Sequence, residues 1–162
     1  GSVSAVDGSV DGVVTDITDA GCNSSEGTVT LSASGGTGEY TYAVDGGEFQ
    51  TETTFTALEA GTHAFTVVDG EGCTDSGNFE ILSGVSLEAE IMPIIEANCA
   101  VTGCHGNVQS PILGSKEAVM SSADRIRVRT SAGTMPPAGR DDLTQAQIDL
   151  IACWVEDGGP NN

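Results

Sequence analysis

The stretch GTVTLSASGGTGEYTYAVDGG, residues 27–47, decides how the first half of the chain folds. Val29, Leu31 and Ala33 alternate with Thr28, Thr30 and Ser32, a period of two that turns one face of a strand inward and leaves the other in water. Tyr40, Tyr42 and Val44 repeat the pattern after the turn Ser34-Gly35-Gly36-Thr37-Gly38. Phe65 with Val67, and Phe79 with Ile81, repeat it again, punctuated by Asp45-Gly46-Gly47 and Asp69-Gly70-Glu71-Gly72. Short β-branched runs between Gly/Asp turns predict six or seven strands of about five residues, an antiparallel immunoglobulin-like sandwich.

Further along the chain the pattern changes. From Ser86 onward apolar residues fall at helical spacing, Pro-rich loops intervene, and a capped helix ends the sequence. Charge changes too: no Lys or Arg precedes Lys116, and Arg125, Arg127, Arg129 and Arg140 follow closely. The small-residue run Ser83-Gly84-Val85-Ser86 reads as a hinge. Two domains are expected, residues 1–84 all-β and residues 85–162 all-α.

The 162 residues carry 24 Asp+Glu against 5 Lys+Arg, a formal charge of −19. That balance argues against nucleic acid as a partner, because phosphate binding needs a concentrated cationic footprint. No apolar run approaches the roughly 18 residues of a membrane helix. Gly1-Ser2 reads as a cloning remnant and no basic-then-apolar leader follows it, so the chain is taken as a mature or excised piece. The Asp-rich loops (Asp7, Asp11, Asp16, Asp19) lack the fixed spacing of a calcium hand and read as a solvated acidic surface. Cys22 and Cys73 bracket the strand region; they are either bridged, closing a loop of about 50 residues and contributing roughly 3–4 kcal/mol, or two separate thiols.

CAVTGCH, residues 99–105, carries the chemistry of the second half. A Cys directly before a His, with another Cys upstream, reads as covalent haem attachment, the His lying beneath the iron. IMPIIEAN (91–98) is expected to be the helix that delivers this segment. In GTMPP (133–137) two prolines hold an extended loop that can aim Met135 at a fixed point as the second axial ligand. Met92 and Met120 fall in helical segments and read as packing residues. Thr144 with Gln147 forms a capping box, Gly158-Gly159-Pro160 a stop, and Ile148, Ile151 and Val155, widened by Leu150 and Trp154, an apolar stripe between them. The metal ligands are thus His105 and Met135, the cofactor haem c with its iron. Arg125, Arg127, Arg129 and Arg140 all flank the Met loop, and at least one of them, Arg125 and Arg129 foremost, is expected to meet a haem propionate; the alternative is solubility or pairing with Asp124, Asp141 and Asp142.

The fifth cysteine leaves two arrangements open. Either Cys99 and Cys104 both anchor haem and Cys153 is a buried free thiol, or Cys99–Cys153 is a disulfide and Cys104 alone holds the haem. A zinc site from Cys99, Cys104, His105 and Cys153 is the less favoured alternative, since adjacent Cys and His seldom reach one tetrahedral ion together.

Residues 27–47 followed by LEAGTHAFTVVDGEGCTDSG (58–77) resemble the SprB repeat, an immunoglobulin-like module of large surface and secreted proteins of the Bacteroidetes; the resemblance covers about residues 10–83. It implies a spacer, display or adhesion role. Where the repeat has Tyr after AGT this chain has His63, read as a structural substitution rather than a ligand or pH switch. MPIIEANCAVTGCHG (92–106), AGTMPPAG (132–139) and LTQAQIDLIACWVEDGGPNN (143–162) together resemble a class I-type monohaem cytochrome c domain. That resemblance implies the cytochrome c fold, with Cys104 a thioether anchor, His105 the proximal ligand and Met135 the distal one. Cys99 takes the other anchor's place, although the family's usual spacer would put it at Val101.

Electron transfer, without enzymatic turnover, is the expected function: a haem filled on both sides has no open position for substrate, and no nucleophile–base triad order is present. The alternative is an adhesive or filament-forming surface protein carrying haem as conduit or brace, self-associating through a strand edge or a donated strand at residues 3–14. A ligand-sensing or peroxidatic haem would need Met135 off the iron. The expected partner is a redox protein with a basic docking patch, and the expected location periplasmic, extracellular or at the cell surface.

Overall fold

A computed structural model describes residues 8–137 and 140–162. Two compact units divide the chain, Gly1–Leu82 and Ser83–Asn162.

In the first unit six strands are described: β1 (Val10–Thr18), β2 (Gly27–Gly35), β3 (Thr41–Val44), β4 (Thr54–Leu58), β5 (Gly61–Val68) and β6 (Thr74–Ile81). They form two antiparallel three-stranded sheets, ordered β1-β2-β4 and β3-β5-β6. The alternation read from the sequence is an alternation of burial over residues 27–31, but Ala43 is buried between Tyr42 and Val44, and Ala33 and Tyr40 are only half-buried. Val29, Leu31, Tyr42 and Val44 are buried with Phe65, Val67, Phe79 and Ile81 in one core. Each such side chain contributes roughly 1.5–3 kcal/mol by leaving water. Leu31, 1 % exposed, is the sharpest test of this core: Leu31→Ala should cost about 2–5 kcal/mol, read as a lowered midpoint in denaturant unfolding.

At Gly12 the sequence serves a close approach. A Cβ there would lie 2.8 Å from Val67 Cγ2 and 3.0 Å from the Phe65 ring, so a side chain would force the core apart. The Gly12 N–H donates to Asp75 Oδ2 at 2.8 Å, tying β1 to β6 of the other sheet. A bulge between Val14 and Asp16 then shifts the register of β1 against β2.

The expected Cys22–Cys73 bridge is not formed. Cys73 is a free thiol, and Cys22 is disulfide-bonded but not to it. A carboxylate does the bracing that a disulfide was expected to do: Asp69 accepts from the N–H of Thr37, Glu71 and Cys73 and from the Thr37 hydroxyl. Those donors, the Thr37 N–H foremost, hold its carboxyl below the usual carboxylate value. Asp11, Asp16 and Asp19 are exposed, and among the described residues no group of three or more His, Cys, Asp or Glu is arranged to hold a metal ion by itself. Asp7 lies outside the described residues, as do residues 3–7 of the segment 3–14 expected for strand donation, whereas its last five residues, 10–14, belong to β1.

The second unit corrects the expected fold class. Its helical segments are a π-helical turn at Leu87–Ile91 running into α1 (Met92–Asn98), then α2 (Lys116–Met120), α3 (Ala123–Ser131) and α4 (Gln145–Glu156). The longest has 12 residues, and α2 only five. Between α1 and α2 the chain is irregular, because Gly103, Gly106, Pro111 and Gly114 interrupt any helical run. Among the described residues more lie in strands than in helices, the helices are short, and a separate all-α cytochrome c domain is not shown. No helix among the described residues is long and apolar enough to cross a membrane.

Within this unit local signals act as the sequence predicts. Thr144 and Gln147 form a capping box at the start of α4. At its end Gly158 and Gly159, both at positive φ, donate to the Val155 and Trp154 carbonyls at 3.0 and 2.9 Å, closing a Schellman motif. α4 packs on α3 and on the π-helical turn, burying Ile151 and Trp154 completely. Asp157, just past the helix, accepts from the Ser83 N–H and hydroxyl.

Candidate functional site

Pro93 opens α1, whose Ile94 and Ile95 are buried, and the helix ends on Cys99, itself buried. Beyond it the chain folds back on itself: the His105 N–H reaches the Cys99 carbonyl at 3.2 Å and the Gly106 N–H the Val101 carbonyl at the same distance. Gly106 has to be glycine, since a Cβ would sit 2.5 Å from the Ala100 oxygen. Asn107 Oδ1 accepts from the Gly103 N–H at 3.0 Å and closes the loop.

This loop holds the imidazole in a defined state. His105 Nδ1 lies 2.8 Å from the Pro111 carbonyl oxygen. A carbonyl can only accept, so Nδ1 carries the proton and neutral His105 keeps its lone pair on Nε2. A metal-binding histidine is held in this way, its second nitrogen fixing tautomer and ring orientation. Pro111 is the functional residue that sequence reasoning overlooked; its signal was a proline six positions after the histidine, an acceptor with no N–H of its own.

Across the cleft the GTMPP loop is pinned to α3. The Arg129 carbonyl accepts from the Thr134 N–H, the Thr134 hydroxyl and the Met135 N–H, at 3.0, 3.1 and 3.2 Å. Met135 therefore lines two adjoining cavities, of about 110 and 330 Å³, that also share Cys99 and His105. Cys104 lines the larger lobe; Pro111, Leu113, Ile126 and Arg125 line the smaller. Ligand sites commonly occupy roughly 300–1,000 Å³, so the two lobes form a cleft of binding-site scale.

The four residues picked from two separate motifs, Cys99, Cys104, His105 and Met135, thus converge. Cys99 and Cys104 are both free thiols, which removes the expected alternative of a Cys99–Cys153 disulfide. Burial, and secondarily the charge of Cys104, push the Cys99 thiol above its ordinary value. Cys153 is disulfide-bonded, so it is neither the buried free thiol nor the fourth zinc ligand that the sequence allowed.

The cations divide sharply. Lys116 pairs with Glu88 at 2.8 Å and Arg127 with Glu156 at 2.5 Å. Arg125 and Arg129, one helical turn apart on α3, line the smaller lobe and form no ion pair among the described residues. Arg140 lies instead in a separate hollow beside Asn98, Pro136 and Asp141. Two thiols, a lone imidazole nitrogen, a thioether, an apolar wall and two unpaired guanidiniums fit an iron porphyrin with carboxylate substituents.

No curated protein and no solved structure matches the chain. Residues 14–49, which span β2, β3 and most of β1, match the family model of the SprB repeat, so the first unit carries a SprB-repeat-like module.

Proposed function

We propose that the chain is an electron-transfer protein in which Cys99 and Cys104 anchor a covalent c-type haem, His105 and Met135 ligate its iron, and the SprB-like module serves as spacer. The proposal concerns attachment and ligation chemistry, not a cytochrome c fold. The observation that supports it most is the 2.8 Å bond between His105 Nδ1 and the Pro111 carbonyl, which leaves Nε2 as the basic nitrogen. A haem bound there supplies one-electron iron chemistry, at a comparatively high potential when imidazole and thioether are both ligands.

The chain's own residues account for the rest. Pro111 orients the ring, the Arg129 carbonyl fixes the backbone of Met135, and Leu113 and Ile126 keep water from the smaller lobe. Arg125 and Arg129 offer guanidinium donors to carboxylates, the strong kind of hydrogen bond. With imidazole and thioether both committed, no position is left for a substrate, so the function is electron exchange rather than catalysis. Covalent attachment of haem to thiols takes place outside the cytoplasm, and together with the SprB-like module this supports a periplasmic or cell-surface location.

The test is to produce the chain together with a haem-attachment system. The purified protein should be red, keep its haem through acid–acetone extraction, and display the weak sulfur-to-iron band when oxidised. A colourless product sinks the proposal. Carbon monoxide binding readily to the reduced form would remove Met135 as a ligand and favour a sensing or peroxidatic haem. Because the charge is −19, electron transfer with a basic partner should slow as salt rises, visible in stopped-flow rates; rates indifferent to salt would exclude electrostatic docking.

A further inference from the structure

The geometry points to a proton-dependent clasp at one end of the β-sandwich, in which His63 is held as the imidazolium and joins two turns that no covalent link connects. His63 stands on β5 with its side chain 13 % exposed. Its Nδ1 lies 2.7 Å from Asp45 Oδ2, in the turn after β3, and its Nε2 lies 2.9 Å from the Glu59 carbonyl, in the turn after β4. Both partners can only accept. A neutral imidazole has one N–H and would leave one of these contacts as two lone pairs facing each other; only the doubly protonated ring donates to both.

The surroundings are built around that ring. Asp45, at φ 52, accepts with its other oxygen from the Ala64 N–H at 3.0 Å and donates its own N–H to the Ala64 carbonyl at 2.8 Å. From β6 the Phe79 ring stacks on the imidazole, centroids 5.4 Å apart. Asp45 and Glu59 are the ionisable groups whose charges act on it, and both are acidic. Burial alone would lower its pKa, but the Asp45 and Glu59 hydrogen bonds and charges outweigh burial and raise it above the ordinary 6.5. Asp45 moves the other way, held below the ordinary 3.8 first by the His63 hydrogen bond.

The signs define a window. His63 has a raised value in the folded state, so its contribution is complete below 6.5 and is lost as pH climbs through the folded value. Asp45 has a lowered value, so its contribution is present above 3.8 and is lost as pH falls through its folded value. The clasp is closed between those limits and opens on the alkaline side first by losing the bond to one turn. The clasp does not depend on the haem proposal, since it lies wholly within the first unit.

Imidazole nitrogen NMR of the full chain tests it, with His63→Gln used only to tell the His63 signals from those of His105. Expected are two protonated ring nitrogens below pH 6.5, a titration midpoint above 6.5, and a midpoint that falls in Asp45→Asn. A single-tautomer neutral ring below pH 6.5 overturns the clasp, as does a midpoint at or below 6.5. The wild-type titration decides the matter even if Asp45→Asn fails to fold; if it folds and the midpoint stays in place, the clasp is also overturned.

Discussion

With haem attached as proposed, alanine at both Cys99 and Cys104 should abolish its covalent retention, so that acid–acetone extraction strips all colour from the double variant. Both sulfurs are free thiols, and both line the cleft that His105 and Met135 share. The single variants resolve their roles. Cys104→Ala removes the anchor directly beside the ligating histidine, while Cys99→Ala removes the one at the end of α1. Each should leave one thioether, and a pyridine haemochrome of either should show the band displacement of a single saturated vinyl group. A Cys99→Ala spectrum identical to that of the parent would mean that the four-residue spacer is too long for double attachment and that Cys104 alone serves. Retention of haem by the double variant would show that the thiols are not its attachment points.

The second large effect is on stability. Trp154 is fully buried on α4, and its indole N–H donates to the Pro160 carbonyl at 3.0 Å. Trp154→Ala should cost about 3–5 kcal/mol, a large part of the roughly 5–15 kcal/mol that holds a typical domain folded. The loss has two sources, the void against α3 and a Pro160 carbonyl left without its donor. Trp154→Phe separates them: most of the ring volume stays and the hydrogen bond goes, for about 1 kcal/mol from the bond itself. Chemical denaturation followed by circular dichroism reads both. A Trp154→Ala protein within 1 kcal/mol of the parent (about a fivefold change in the folding constant) would show that α4 is not part of a cooperative core.

What the sequence could convey depended on how local each signal is. The period-two pattern of residues 27–31 and the capping box at Thr144 are properties of adjacent residues, and both reappear in the structure, whereas Tyr42, Ala43 and Val44 are all buried because both faces of β3 are covered. The cleft was legible because His105 and Met135 each sit in a motif shaped by its own neighbours, though the Pro111 contact depended on how the intervening loop closes. Cysteine pairing is not local, so the positions of Cys22 and Cys73 along the chain do not decide whether they meet; Cys73 is a free thiol, and four hydrogen bonds to Asp69 brace that turn instead. The expectation of an all-α second half failed for a related reason. Apolar spacing marks where a helix can bury a face, but the glycines and prolines of residues 103–114 decide how far it runs. Arg125 and Arg127 look alike in sequence, yet one faces the cleft and the other meets Glu156.

The Asp75 carboxylate on the Gly12 amide has a consequence for how such modules can coexist in a crowded array. Sheet margins with unsatisfied amides recruit foreign strands and seed fibrils. Here one margin of the β1-β2-β4 sheet is stitched to its neighbour by an anion, and the opposite one carries Ala57 at φ 61 within β4, a contortion that a regular incoming strand cannot match. Both features work against continuous cross-β pairing along that sheet when copies lie side by side.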